Sequence, residues 1–210
     1  MKLKKKPKMI LIVTLTIIAI VAIIFIAVAV AKKIGTGDEV REAKVLKSID
    51  AYGYKLKDNK DKKYKAMFEE LEKILTADEV VEEDYVKKIA EMFIYDFYSL
   101  DDKTAKTDVG GVDFILPAGL TNFLVNAEDT YYKYVESNIY DERKQDLPMV
   151  DAVTISSISP TEYVYSGKKY SAYEVKVTWT YTDEKYASYQ NSATLIFVKD
   201  DIKYYLAELQ

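Results

Sequence analysis

The sequence predicts an α+β fold, because the spacing of its apolar residues changes once along the chain. Up to about Ser137 the apolar residues recur three and four positions apart, which is typical of helices that bury one face. After Pro148 they alternate with polar residues, as in strands with one buried face. Helices followed by antiparallel strands predict helices packed on one face of a curved sheet of four to five strands.

A third observation predicts one transmembrane helix before this domain. Residues 9–31 form a run of 23 residues without a charge, and a helix of that length reaches about 35 Å. The hydrocarbon core of a bilayer is roughly 30 Å thick. Five lysines and no acid precede the run, so the positive-inside rule predicts a cytoplasmic tail over residues 1–8. The alternative is a cleaved signal peptide ending at Ala31, and both interpretations export the remainder.

Residues 32–59 are predicted to form a juxtamembrane helix or linker. Val45, Ile49, Tyr52 and Leu56 follow one another at helical spacing. The stretch from Lys55 to Lys65 is rich in lysine. It could dock on an anionic lipid or cell-wall polymer, although a solvated linker that leads into a helix explains it as well.

Residues 60–210 are predicted to be the extracytoplasmic α+β domain. Three helices are expected, the first ending near Leu75, the second opening at Glu82, and the third running from Pro117 to about Ser137. The clearest strand alternates from Ala172 to Tyr181, with Trp179 on its apolar face. Ser166-Gly167 predicts the turn before it, and Pro160 predicts a bend or a sheet edge. Further strands are expected over residues 193–198 and 202–209.

Composition excludes several functions. The chain has no cysteine and no histidine, which removes disulfides, thiol nucleophiles, imidazole metal ligands and histidine-dependent catalytic triads. Without the five N-terminal lysines, 25 basic residues stand against 34 acidic ones, a net charge of −9. Such an acidic body is poorly suited to neutralise phosphates, so no nucleic-acid partner is expected.

An enzyme of this composition would depend on carboxylates, lysine, tyrosine or serine. Asp101, Asp102 and Asp113 in one irregular segment could supply a carboxylate pair for glycoside hydrolysis. Loop acids are more often soluble turn formers. Ser166 with Lys168 or Lys169 could form a serine–lysine dyad, but a tight hairpin offers no pocket. We therefore predict no enzyme and assign no catalytic, cofactor-binding or metal-binding residue.

Three other features have ordinary structural explanations. Gly110-Gly111 lacks the Lys-Ser or Lys-Thr that follows a phosphate-binding loop. Glu82, Glu83 and Asp84 suit the first turn of a helix without any metal. The nineteen tyrosines could form a ligand platform, yet their places on strands and helical stripes favour a role in the core.

Helices followed by an alternating antiparallel sheet, behind one N-terminal anchor, resemble the nuclear-transport-factor-2-like cone. The anchored arrangement is similar to the bitopic assembly factors of bacterial type IV secretion and conjugation machines. The resemblance covers about Lys60 to Gln210 and is architectural, so no residue role is transferred. It implies a non-catalytic scaffold at the cell membrane that oligomerises and holds other envelope proteins, without a cofactor. A ligand-binding module is the alternative, because the same cone can enclose an apolar pocket.

Overall fold

The computed structural model describes residues 43–210, and this part forms one compact unit from Ala43 to Gln210. The predicted tail, the predicted transmembrane helix and the first part of the predicted linker lie outside the described residues. Within residues 43–210, no helix combines the length and the apolar character that crossing a membrane requires.

The described chain contains six strands and three α-helices in the order ββαααββββ. A hairpin of β1 (Val45–Ile49) and β2 (Tyr54–Lys57) comes first. The helices are α1 (Lys62–Leu75), α2 (Glu82–Tyr98) and α3 (Leu120–Asp129). The remaining strands are β3 (Val150–Tyr165), β4 (Lys168–Tyr181), β5 (Ser192–Asp200) and β6 (Lys203–Leu209).

The main sheet confirms the α+β prediction. Its four strands are antiparallel and follow chain order, β3-β4-β5-β6. The turn between β3 and β4 is at Ser166 and Gly167, which have φ angles of 49° and 79°, as a two-residue hairpin turn requires. Beyond β6, Ile115 makes a single parallel bridge to Leu206.

Strand β4 has the two faces that its alternating sequence predicts. Val175, Val177 and Trp179 are buried in the main core, whereas Lys176 and Thr178 on the opposite face are exposed. The core side of the sheet packs against α2. There the centroids of the Tyr98 and Trp179 rings are 4.3 Å apart. Helix and sheet therefore meet through large aromatic side chains.

Helices α1 and α2 confirm the first two helix predictions. Asp61 caps α1, accepting a hydrogen bond from the Tyr64 backbone amide at 2.7 Å. The buried residues of α1 are Tyr64, Met67, Phe68, Leu71 and Leu75. Helix α2 buries almost its whole second half, from Met92 to Tyr98.

The third helix is shorter than predicted. It ends at Asp129, and the expected continuation to about Ser137 is wrong. Thr130 Oγ1 donates to the Asn126 carbonyl at 2.5 Å and closes the last turn. The next two residues then turn inward, so that Tyr131 stacks on Phe97 and Tyr132 becomes fully buried. Packing of these two rings against Phe97 ends the helix where spacing alone would continue it.

The juxtamembrane helix predicted through Leu56 is also wrong, because β1 and β2 occupy that position. Tyr54 and Leu56 are buried and Lys55 and Lys57 are exposed, which is the two-residue period of a strand. The turn ends at Gly53, whose φ of 70° favours glycine. Since Ile49, Tyr54 and Leu56 belong to the main core, the folded unit begins near Ala43 and not at Lys60.

Candidate functional site: a buried ion cluster

Two charged side chains are buried between α2 and the segment that follows it. Asp96 projects from α2 and is 5% exposed, and Lys103 lies in the following loop and is 2% exposed. Asp96 Oδ1 accepts hydrogen bonds from Lys60 Nζ at 2.5 Å and from Lys103 Nζ at 3.0 Å. Lys103 also donates to Asp102 Oδ1 at 2.6 Å. We call Lys60, Asp96, Asp102 and Lys103 the ion cluster.

The ion cluster balances two lysines against two aspartates, and this balance sets its protonation. Burial alone would raise the pKa of Asp96, but Lys103 and Lys60 outweigh it and hold that pKa well below its usual range. Burial opposes the charged form of Lys103, yet Asp96 and Asp102 raise its pKa. For Asp102, burial outweighs the attraction of Lys103, and its pKa is raised.

Two glycines let the loop approach Asp96. Gly111 donates its backbone N–H to Asp96 Oδ2 at 2.9 Å. A Cβ on Gly110 would lie 2.1 Å from the Asp96 carbonyl oxygen, and one on Gly111 would lie 2.6 Å from the Phe93 ring. The glycine pair therefore serves close packing of the loop on α2.

Further hydrogen bonds fix the elements around the ion cluster. Tyr95 on α2 donates to Asp61, the cap of α1. Tyr132 Oη donates to the Phe97 carbonyl at 2.6 Å and accepts from the Gly110 amide at 3.0 Å. The Arg143 side chain, which is 3% exposed, also binds this loop, donating to the carbonyl oxygens of Lys103 and Asp101, each at 2.7 Å. The cluster is thus tied to α1, α2 and two loops.

The three loop aspartates, Asp101, Asp102 and Asp113, lie in different surroundings. Asp102 belongs to the ion cluster, whereas the exposed Asp101 carboxylate lies 3.6 Å from Arg143. Asp113 lies on a short 3₁₀ turn, Val112–Phe114, where burial raises its pKa against the opposing effect of nearby Lys57 and Lys203. Asp101 and Asp102 are therefore each paired with a cation.

The hairpin residues of the serine–lysine alternative are engaged elsewhere or exposed. Lys168 Nζ lies 3.2 Å from Asp200, and Lys169 Nζ lies 2.6 Å from Glu162. Ser166 lies in the exposed turn between β3 and β4.

The acidic first turn of α2 makes protein contacts. Glu82 accepts hydrogen bonds from Lys199 and, at 2.7 Å, from Tyr204. Glu83 and Asp84 lie 3.6 and 3.7 Å from Lys87. In the described part of the chain, no three acidic side chains are grouped as a metal site would require.

Several tyrosines have the core role predicted for them. Tyr54 and Tyr85 share a hydrogen bond at 2.7 Å, and Tyr85 Oη also accepts the backbone amide of Tyr204 at 3.3 Å. Burial raises the pKa of Tyr85. The tyrosines that are buried are Tyr54, Tyr64, Tyr85, Tyr95, Tyr98, Tyr132, Tyr186 and Tyr204.

Sequence reasoning missed the two central members of the ion cluster. The sequence does indicate that Asp96 is buried, since this residue stands between the apolar residues Phe93 and Phe97 on the buried side of α2. A lone acid at such a position predicts a buried cation partner. Lys103 had no comparable signal, because its loop shows no period from which burial could be inferred.

Comparison with known protein families, with curated proteins and with solved structures finds no match for this chain.

Proposed function

We propose that this chain is a non-catalytic scaffold, anchored by one transmembrane helix, that holds other envelope proteins at the outer surface of the cell membrane. The observation that carries the proposal is the uncharged run at residues 9–31 behind five lysines. Such a run spans a bilayer, and the lysines retain the N-terminus in the cytoplasm. The domain of residues 43–210 is then the exported part.

The chemistry of the domain supports a role without catalysis. Catalytic groups are usually poised, with a pKa near the working pH and a free atom directed at the substrate. The buried charges of the ion cluster are instead engaged with one another and with backbone amides. With neither histidine nor cysteine in the chain, the usual near-neutral proton carrier is absent as well.

Architecture supports the resemblance to the anchored assembly factors of secretion and conjugation machines. Three helices precede a four-stranded antiparallel sheet, as in the cone-shaped domains of that class. The hairpin of β1 and β2 before the helices is a departure from the predicted order. Under this proposal the partners are the membrane, other envelope proteins and further copies of the chain, and nucleic acid is not a partner.

The alternative of a ligand-binding module needs space between the helices and the sheet. Between α2 and β4 the Tyr98 and Trp179 rings are in contact, and Val175 and Val177 are buried beside them. A depression of about 520 Å³ is lined instead by residues of the loop between α3 and β3, among them Glu136, Tyr140 and Lys144. The contact between the Tyr98 and Trp179 rings favours the scaffold.

Topology is tested by adding protease to intact cells without an outer barrier. The expected result is loss of the domain and survival of a membrane-bound fragment that contains the N-terminal tail. Protection of the domain contradicts the proposed orientation, and release of a mature chain that begins near Lys32 would show a cleaved signal peptide.

The scaffold role is tested by complementing the phenotype of a gene deletion. A variant with Asp101, Asp102 and Asp113 replaced by Asn should restore function, because no carboxylate chemistry is involved. An exported form without residues 1–31 should not, because tethering raises the local concentration that weak assembly contacts need. If the triple variant folds but fails while the untethered form succeeds, a carboxylate-dependent activity replaces the scaffold.

A further inference from the structure

The outward face of the β1–β2 hairpin combines lysines with exposed aliphatic side chains. Lys55 and Lys57 are exposed and alternate on β2 with the residues that enter the core. Val45 pairs with Lys57, and Ser48 pairs with Lys55. Residues paired across two strands lie on the same face, so these four side chains share the face that is turned away from the core.

A β-bulge places a second exposed aliphatic side chain next to Val45. The pairing shifts between Val45 and Lys47, which makes Leu46 an extra residue on β1. A bulge re-aims side chains locally, and Val45 and Leu46 are 52% and 58% exposed. We call Val45, Leu46, Ser48, Lys55 and Lys57 the hairpin face.

The two lysines of the hairpin face are available to an anionic partner. Two nearby lysines, Lys47 and Lys60, form ion pairs with acids of α1 and α2. Lys55 and Lys57 form no ion pair with any of residues 43–210. Asp113 is near enough for Lys57 to oppose the effect of burial on its pKa, but the two do not make a direct contact. The charges of the hairpin face are therefore open to solvent.

The distribution of charge selects this side of the domain for an anionic surface. Residues 43–60 hold five lysines and two aspartates, whereas residues 61–210 hold 17 basic and 29 acidic residues. At physiological ionic strength a charge is felt over only about 8 Å, so the side chains nearest to a surface decide the sign of the interaction. An anionic surface attracts the hairpin and repels most of the remainder.

The hairpin is also the element that follows the predicted membrane helix most closely in the chain. Eleven residues, 32–42, separate that helix from Ala43, and a chain of eleven residues spans at most about 40 Å. Val45 and Leu46 come two and three residues after Ala43. The hairpin face is therefore kept near the bilayer by its own connection.

We propose that the hairpin face docks on the outer surface of the membrane, with its lysines at anionic lipid headgroups and Val45 and Leu46 at the acyl boundary. Such binding depends on both apolar area and attraction to anionic lipid. A soluble anionic polymer would engage the lysines but leave the aliphatic side chains in water, which favours lipid as the partner. The proposal rests on the proposed function for the anchor that holds this face close to the bilayer.

An environment-sensitive fluorophore on a single cysteine tests docking in the full-length chain, which has no cysteine of its own. Ser48→Cys puts the probe within the hairpin face. Ser159→Cys is the matched control, because Ser159 is also exposed but lies on β3, at the opposite edge of the sheet from β6. The hairpin packs at β6, where Tyr54 Oη donates to the Tyr204 carbonyl at 3.4 Å. Each protein is reconstituted into vesicles of phosphatidylcholine, with or without phosphatidylglycerol.

Phosphatidylglycerol should raise the emission of the Ser48 probe about twofold and shift it to shorter wavelength, because docking moves the probe out of water. Salt at 1 M should reverse the change, since charges are then felt over only about 3 Å. The Ser159 probe should respond to neither. Equal responses at the two positions, or no response at Ser48, would overturn docking by the hairpin face.

Removal of charge from the hairpin face provides an independent test. Lys55→Gln combined with Lys57→Gln should lower the docking constant about 25-fold, since each lysine near an anionic surface contributes about fivefold. Lys168→Gln combined with Lys169→Gln is the matched control, because both side chains are 62% exposed but lie at the start of β4. It should leave the docking constant within about twofold. Equal weakening by the two double variants would overturn the proposal.

The remaining outcomes separate lipid from polymer and docking from anchoring. If soluble polyglycerol phosphate, but not phosphatidylglycerol, raises the emission of the Ser48 probe, the partner is an anionic polymer and lipid docking is wrong. A chain that resists alkaline extraction from the vesicles but gives no response to anionic lipid overturns docking and leaves the scaffold. A chain that is extracted although its Ser48 probe responds overturns the anchor and leaves docking.

Discussion

The ion cluster and the β3 edge use polar groups in opposite ways. In the ion cluster, Asp96 accepts from Lys60, Lys103 and the Gly111 amide, so a buried charge is fully engaged inside the domain. Strand β3, by contrast, has β4 as its one sheet neighbour among the described residues, so the backbone groups of its other edge have no strand partner there. The difference indicates that buried charges are satisfied inside the domain, whereas the edge of the sheet is not closed by another strand of the described residues.

The comparison is tested first where the interior is most densely packed. Trp179→Ala should lower the free energy of unfolding of residues 43–210 by about 3 to 5 kcal/mol, because a large buried ring leaves a cavity. Lys176→Ala, on the exposed face of the same strand, should cost under about 0.5 kcal/mol. Urea denaturation followed by circular dichroism measures both. Equal losses would mean that the two faces of β4 are wrongly assigned.

The ion cluster should be the next most sensitive region. Asp96→Asn leaves Lys60 and Lys103 without their shared anion, and breaking a buried pair in this way costs about 3 kcal/mol. Asp101→Asn changes an exposed carboxylate near Arg143 and should change the stability by under about 0.5 kcal/mol. Urea midpoints of the two variants give the comparison, and an Asp96→Asn variant as stable as Asp101→Asn would show that the cluster does not stabilise the fold.

Because the glycine loop approaches α2 closely, we expect a substitution in that loop to lower the free energy of unfolding, though by less than the loss of Asp96. Gly110→Ala places a Cβ against the Asp96 carbonyl oxygen, and overpacking of this kind costs about 1 to 3 kcal/mol. Gly119→Ala adds the same methyl group where nothing lies within 4 Å, so its stability should stay within about 0.5 kcal/mol of the parent. Thermal unfolding distinguishes them, and similar midpoints would mean that the loop moves aside freely.

The smallest expected effect concerns Asp113 and depends on pH. Its pKa is raised by burial, so the folded state binds this proton more tightly than the unfolded state, and ionisation at neutral pH destabilises the fold. Asp113→Asn should therefore match or exceed the parent in stability at pH 7, by under about 1 kcal/mol. The advantage should vanish as pH falls below about 4, the ordinary range of an unfolded aspartate, because the folded and unfolded states are then both protonated. Urea midpoints at both values test this, and a variant less stable at pH 7 contradicts it.

Acid should affect Asp96 in the opposite direction. Its pKa is lowered in the folded state, so the stabilisation is complete above about pH 4, the ordinary range of an unfolded aspartate, and is lost as pH falls further.

Strands with one wet face were predictable because a period of two is local. The alternation in β4 and the turn at Ser166-Gly167 were predicted correctly from residue order alone. The same reasoning failed at β1 and β2, where Val45, Ile49, Tyr52 and Leu56 imitate helical spacing across a turn. Two short strands joined by four residues give the spacing of a helix by coincidence, and the burial of Tyr54 in the core decides between them.

The ion cluster was only partly predictable, because Lys60 is 36 residues from Asp96 in the chain and Lys103, although only seven residues away, lies in a loop without a period. The isolated acid of α2 indicates that a partner exists but does not identify Lys60 or Lys103. These lysines reach Asp96 only after α1 and the glycine loop have packed. The end of α3 has a similar origin, since Tyr131 and Tyr132 pack against Phe97 of another helix.

Trp179 also gives the protein a built-in optical probe. It is the single tryptophan of the chain, it contacts Tyr98 of α2, and its indole N–H has no acceptor among the described residues. Its emission therefore reports from the contact between helix and sheet and from nowhere else. Separation of α2 from the sheet would hydrate the indole and shift that emission to longer wavelength.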